Sequence, residues 1–236
     1  MQWDSADVEA RLPGRTVLYF PVLESTMRAV DQYPEGMLVV AGAQTAGVGR
    51  HGHTWESEPG AGLYFSVAVP LTPLLTLALG IAAVEAIRAA TQLGCDLRWP
   101  NDVLLHERKL GGILVQSAPL GAVAGIGINI AQRGFPPELA GIATSLSIET
   151  GLDFRREDIF VELVLALEHW RVQPAARIRE GFAARSSYAS GKRVQVSIEG
   201  SMVSGTTSGI TPEGFLQVLA ADGRRHVIVA GGVRPA

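Results

Sequence analysis

The sequence predicts an α+β chain: a mixed, largely antiparallel sheet carrying helices, followed by a small all-β module. From Asp96 to Ile130 the chain breaks into short apolar runs, DLRWPNDVLL, LGGILVQSA and GAVAGIGINI, joined by tight polar turns. That pattern predicts an antiparallel meander. Longer segments with helical spacing lie on either side of the meander. From Ser187 onward only short strands remain, separated by Gly, Pro and Asp turns. Residues 1–186 therefore read as the main domain, and 187–236 as a β module too small to stand far from it.

In chain order, TVLYFPVL (16–23) is a first strand, and a short helix follows with Ser25 or Thr26 as its N-cap. MLVVAGAQ (37–44) is a second strand that runs into the glycine-rich loop TAGVGRHGHTW, and GLYFSVAVP (62–70) is a third. Thr72 as N-cap, Pro73 at the first helical position and Gly94 beyond the end bracket a long apolar helix. The charge-free stretch 59–84 is long enough to raise a membrane span. Pro70, Thr72 and Pro73 interrupt it, so strand, turn and buried helix is the better reading. Residues 153–171, capped by Asp153, and 174–186 form two further helices.

Composition narrows the function. With 47% hydrophobic and 18% charged residues the chain can build a core. A net charge of −3 disfavours a dedicated nucleic-acid binder. The N-terminus carries acids and no apolar signal core. The single cysteine, Cys95, allows no internal disulfide and suits a reducing, cytoplasmic setting. Of the 20 basic Lys and Arg residues only Lys109 and Lys192 are lysines. One of these stands directly after Arg108, which reads as an ordinary surface charge.

GVGRHG (47–52) matches G-x-G-x-x-G and follows a strand, but the next element is again a strand, so the dinucleotide-binding reading fails on context. Two readings of the loop remain: a flexible connection, or a backbone that wraps an anion while Arg50 clamps it. His51 and His53 lack a third ligand at zinc spacing. In GAVAGIGINI, alternation puts Ile126, Ile128 and Ile130 on one face and Gly125, Gly127 and Asn129 on the other. The bare face either admits a covering helix or holds a ligand, with Gly111 and Gly112 close by. If the strands flanking the HER turn pair, Asp102 and Lys109 lie near each other. They form either a surface ion pair or a site with a compact ammonium that arginine's planar fork cannot replace.

In order along the chain, LEST (23–26), QTAGVGRHGHTW (44–55), RWPNDV (98–103), RKLGGILVQ (108–116), GIGINI (125–130) and ATSL (143–146) resemble the catalytic domain of biotin–protein ligases. The terminal module resembles that family's SH3-like β-barrel domain. The resemblance implies a class II aminoacyl-tRNA-synthetase/biotin-synthetase-like fold. It also implies an ATP-dependent ligase that makes biotinyl-5′-AMP and passes biotin to one lysine of a biotin carboxyl carrier protein.

Carried over by position, Lys109 contacts the biotin carboxylate and the α-phosphate. Arg50 and the backbone of Gly47, Val48 and Gly49 close over the adenylate, beside Trp55. Ser25, Thr26 and Gln44, with Met27 next to them, read the biotin head group. Gly111, Gly112 and Gly127 belong to the glycine-bearing face, and Asn129 hydrogen-bonds the adenine. Asn101 and Asp102 shape the site, Asp102 as a contact for Mg²⁺ or for the incoming lysine. Met27 stands where the family often has Asn, Val48 and His53 where it often has Arg, and Arg98 where it commonly has Lys. Fewer than twenty residues precede the first strand, which predicts a form without an N-terminal DNA-binding domain; a homodimer is allowed but not required. Rival readings are a lipoate–protein ligase, an octanoyltransferase, which would need an acyl-accepting cysteine, and a non-catalytic biotin or nucleotide sensor.

Overall fold

The structure, a computed structural model, describes residues 3–119, 121–198 and 201–236. Val17–Phe20 (β1) and Leu38–Ala41 (β2) pair in parallel. Gly62–Val69 (β3), Asp96–Arg98 (β4), Asp102–Leu105 (β5), Arg108–Ala118 (β6) and Gly121–Asn129 (β7) complete a mixed sheet in the order β1-β2-β3-β7-β6-β5-β4, and every pairing after the first is antiparallel. The expected meander is therefore present. On β7 the isoleucines face the main core, while Gly125 and Gly127 face the other side, as period-two alternation requires.

The helix Leu75–Thr91 (α3) lies on the core face of the sheet. It is buried along most of its circumference, which explains why its sequence is apolar all round. Its ends differ from expectation. The N-cap is Leu74, with φ 65°, and the C-cap is Gln92, with φ 63°; Thr72, Pro73 and Gly94 play neither part. A side chain at Gly214 would collide with Leu74, so the helix start is fixed by packing against the terminal module rather than by local propensity.

Arg156–Trp170 (α5) packs on α3, and Ala175–Ala183 (α6) follows it. The predicted cap of α5 is corrected: Arg155 holds that position, while Asp153 pairs with Arg133 at 2.6 Å. The short helix Thr26–Val30 (α2) sits on the opposite face of the sheet, where Met27 and Val30 pack with Val39 and Val123. Two helices were not anticipated. Ser5–Arg11 (α1) is capped by Asp4, and the neighbouring Trp3 stacks on Tyr19. Leu146–Thr150 (α4) is capped by Ser145.

The terminal module consists of Ser190–Ile198 (β8), Ser201–Ile210 (β9), Leu216–Ala220 (β10), Arg225–Ile228 (β11) and Val233–Pro235 (β12). These form an antiparallel sheet in the order β11-β10-β9-β8-β12. Val194, Val196, Leu216 and Val218 are buried in one continuous core with the main domain, as expected for a unit of this size. Trp99 Nε1 donates to Gly214 O at 2.9 Å, which fastens the module to the turn after β4, and Ser186 Oγ, just ahead of the module, donates to Leu97 O at 2.6 Å. Among the described residues no helix is long and apolar enough to cross a membrane.

Candidate active site

The glycine-rich loop is a small hairpin rather than an open cradle. Gly49 N–H donates to His53 O at 2.7 Å and Trp55 N–H to Gly47 O at 2.9 Å. The turn runs through His51, with φ 55°, and Gly52, with φ 78°. A side chain at Gly47 would meet Trp55 O at 2.5 Å, so that glycine permits the two arms to approach. The Gly49 N–H, one of those expected to face an anion, is used within the hairpin in this structure.

Trp55, at the foot of the hairpin, is laid across the glycine face. A Cβ on Gly127 would sit 2.5 Å from Trp55 Cε2, and one on Gly112 would sit 3.0 Å from its ring. Met27 occupies the room left by Gly125 in the same way. The strand face that looked bare in sequence is thus roofed by Met27 and Trp55, and a ligand would contact those side chains. Gly111 faces the core side instead: a Cβ there would meet the Gly127 carbonyl at 2.9 Å and Ile128 and Val103 at 3.5 Å.

Beside this face runs a buried polar chain. Gln44 Oε1 accepts from Thr26 N at 2.8 Å and from Thr26 Oγ1 at 3.2 Å, while Gln44 Nε2 donates to Ser57 Oγ at 3.0 Å. Thr26 Oγ1 and Ser66 Oγ share a hydrogen bond of 2.7 Å. Ser25 Oγ and Trp55 Nε1 are buried without a partner, as is the Oε1 of Gln132. Buried polar atoms without a partner cost free energy unless a ligand pairs with them, so these three are open to one; Trp3, Thr72, Arg179 and Ser208 carry further such atoms outside this polar chain. Gln132 Nε2 donates to Tyr64 Oη and to Asn129 Oδ1, and Asn129 Nδ2 donates to Thr144 O at 3.0 Å. The amide of Asn129 is therefore tied into the protein on both atoms. Gln44, Ser57, Gln132 and Phe135 line a cleft of about 280 Å³, with Glu56 and Glu58 also on its wall.

The third component is cationic. Lys109 Nζ lies 2.7 Å from Asp102 Oδ1 and 5.5 Å from the centroid of the Trp55 ring. Arg98 grips the other oxygen, with Nη2 at 2.7 Å and Nε at 3.2 Å from Asp102 Oδ2. Burial pushes the Asp102 carboxyl up, but Lys109 and then Arg98 outweigh it and hold the group below the usual carboxylate range. Arg50 donates to Asn101 Oδ1 at 2.9 Å, and Asn101 Nδ2 to Ile113 O at 3.0 Å. Burial lowers the pKa of Arg50 and the Asp102 charge opposes this; the guanidinium stays protonated.

Arg108 is not the plain surface charge expected. It pairs with Glu149 at 2.6 Å, and that carboxylate is only 7% exposed. His106 takes the second Glu149 oxygen at 2.6 Å, and Thr144 Oγ1 donates to the first. Lys109 N donates to Ile142 O and Thr144 N to Lys109 O, so this cluster clamps the segment that backs the lysine.

Sequence reasoning thus placed Lys109, Asp102, Arg50, Asn101, Trp55, Gln44 and Thr26 in one region. It missed Ser57, Ser66, Gln132 and Glu149. Ser66 had a signal, being the one small polar side chain in the otherwise apolar and aromatic GLYFSVAVP. Both oxygens of Asp102, the residue expected to contact Mg²⁺, are engaged by Lys109 and Arg98. No group of three His, Cys, Asp or Glu among the described residues could hold a metal. Among the described residues no side-chain set fits a metal held by the protein alone, whereas Mg²⁺ carried by ATP needs only one or two carboxylates. Cys95 is half-buried, and its thiol is pushed up to about 12 by burial, with Asp96 adding to the shift. It makes a poor acyl acceptor.

Residues 19–132 match the biotin/lipoate A/B protein ligase family, and residues 189–233 match the biotin protein ligase C-terminal domain. The biotin–[acetyl-CoA-carboxylase] ligase of Mycobacterium tuberculosis is 34% identical over 215 residues, 84% of this chain and 79% of that protein. The bifunctional ligase/repressor BirA of Bacillus subtilis is 36% identical over 179 residues, 68% of this chain. The match spans 55% of the length of that relative. Among solved structures, the biotin protein ligase from Aquifex aeolicus in complex with biotin and ATP has a TM-score of 0.84 at 27% identity, covering 94% of this chain and 99% of that one.

Proposed function

The chain belongs to the biotin/lipoate A/B protein ligase family, and on that premise we propose that it activates biotin with ATP and transfers the biotinyl group to one lysine of a carrier protein. The observation that carries this reading is the lone ammonium of Lys109. It is held by Asp102 beside the Trp55 ring, which lies across Gly112 and Gly127 on the glycine face. In the first step a biotin carboxylate oxygen bonds to the α-phosphorus of ATP, the bond to the β-phosphate bridge breaks, and pyrophosphate leaves. Both reactants are anions, so a fixed cation where they meet lowers the barrier by stabilising charge that builds up there. Lys109 supplies that charge as a compact point, and Arg50 supplies a second from the hairpin. In the second step the amine of the acceptor lysine bonds to the acyl carbon, AMP leaves, and the amine gives up a proton.

Thr26, Gln44 and the unpartnered Ser25 Oγ offer donors and acceptors to the ureido ring of biotin, while Met27 and Trp55 provide apolar walls. The adenine is assigned to the neighbourhood of Asn129, where the free acceptor is Gln132 Oε1 rather than the Asn129 oxygen. The division at 187, a cytoplasmic setting and the absence of direct nucleic-acid contact, in keeping with the net charge of −3, belong to the same proposal. A homodimer is compatible with it.

Pyrophosphate exchange into ATP tests the reading. Exchange that depends on biotin and not on lipoate is expected. Exchange with lipoate alone would assign the chain to lipoate ligation, and none with either acid would favour a sensor.

A further inference from the structure

Lys192, the second of the two lysines, lies on β8 in the terminal module, yet its Nζ sits 2.6 Å from Glu107 Oε1 in the hairpin turn that carries Lys109. Tyr188 donates to the other oxygen of Glu107 at 2.6 Å. Tyr188 also lies under the Arg98 guanidinium, 5.9 Å from its ring centroid, and Lys192 Nζ stands 4.9 Å from the same ring. We propose that Lys192 and Tyr188 are positioning residues for Lys109, through which the terminal module sets the aim of the ammonium.

Two routes connect them. The first is through the backbone. His106 and Glu107 adopt φ 49° and 63°, a left-handed region that side chains other than glycine enter at a cost, so the turn needs external support. Lys192 and Tyr188 provide it on one side, and Glu149 on the other through His106 and Arg108. Lys109 is the second residue after Glu107. The β5–β6 register also shifts between Val103 and Leu104, next to the Leu104–Lys109 pair. A turn that relaxes can slip that register and redirect the side chain. The second route is through side chains: Tyr188 packs against Arg98, Arg98 grips Asp102 Oδ2, and Asp102 Oδ1 holds Lys109. Burial and then Glu107 push the Tyr188 phenol up to about 12, so it remains a donor near neutrality. Lys192 and Tyr188 touch the turn and Arg98, and their effect on chemistry is indirect.

The inference rests on the role given above to Lys109, and the test separates the two. Lys192→Met, Tyr188→Phe, Lys192→Arg and Lys109→Arg are compared with the wild type in biotin-dependent pyrophosphate exchange, with thermal midpoints measured alongside. Lys192→Met is expected to lose about tenfold in turnover, the scale of a small misplacement of a reacting group. Its KM for biotin and for ATP should stay within about twofold and its midpoint close to wild type, because only the aim of the ammonium changes. Tyr188→Phe should fall in the same direction, and Lys192→Arg, which keeps a cation on Glu107, should recover most of the turnover. Unchanged turnover in Lys192→Met overturns the proposal, as does a loss in which KM and the midpoint move as much as turnover. An inactive Lys109→Arg beside a fully active Lys192→Met removes only the coupling; an active Lys109→Arg removes the coupling and the role of the lysine together.

Discussion

Replacing Asp102 by Asn keeps the shape of the side chain and removes the charge that separates Lys109 from Arg98. Three charged contacts are lost, at 2.7 Å to Lys109 and at 2.7 and 3.2 Å to Arg98, and an amide N–H now faces one of the two cations. Breaking a buried ion pair costs about 3–5 kcal/mol, and an exposed one well under ~1 kcal/mol. The side chains of Asp102, Arg98 and Lys109 are 17%, 18% and 32% exposed, which places this cluster between those limits, at about 2–3 kcal/mol. For 236 residues the unfolding entropy is about 0.5 kcal/mol per degree, so Tm should fall by about 4–6 °C at neutral pH.

The pH dependence has a definite sign. Asp102 titrates below the usual range in the folded chain, so its stabilisation is present above the unfolded value near ~4 and is lost as pH falls through the folded one. The gap in Tm between wild type and Asp102→Asn should therefore be full at neutral pH and close in acid. Calorimetry across that range checks both statements. A gap of less than about 1 °C at neutral pH, or one that persists unchanged into acid, would refute the claim that this carboxylate holds two cations.

Gly127→Ala places a methyl group 2.5 Å from the Trp55 ring, so stability should fall by about 1–3 kcal/mol and tryptophan emission should shift as the ring is displaced. Wild-type emission and stability would show that Trp55 does not lie on the strand. Glu149→Gln should cost about 1–2 kcal/mol in urea unfolding, with an unchanged m-value, because Arg108, His106 and Thr144 all converge on that buried carboxylate. A change below about 0.3 kcal/mol would mean the cluster is solvated.

Local features were legible in the sequence where chemistry and period agree. The alternation of Ile and Gly on β7 fixed both faces correctly, and the brevity of the HER turn alone brought Asp102 and Lys109 together. Features that depend on distant partners were not legible. Arg108 resembled a surface charge because its partner, Glu149, lies 41 residues away and becomes a neighbour only when α4 docks. Ser66 and Gln132 join the site only through the pairing of β3 with β7 and the return of the chain beyond it. The limits of α3 depend on Leu74 meeting Gly214, a contact between the two halves of the chain. The glycine-rich loop was correctly seen as special, but its hairpin closure required knowing that Trp55 would lie on Gly127 and Gly112.

Single-turnover formation of biotinyl-5′-adenylate, with biotin and ATP both saturating, tests the role of the ammonium most directly when wild type is compared with Lys109→Arg. Arginine keeps the charge and can still pair with Asp102, but its planar fork cannot place a point charge where carboxylate meets phosphate. The mechanism predicts that Lys109→Arg stays folded and loses adenylate formation by about a hundredfold or more. Adenylate formation near the wild-type rate would contradict it.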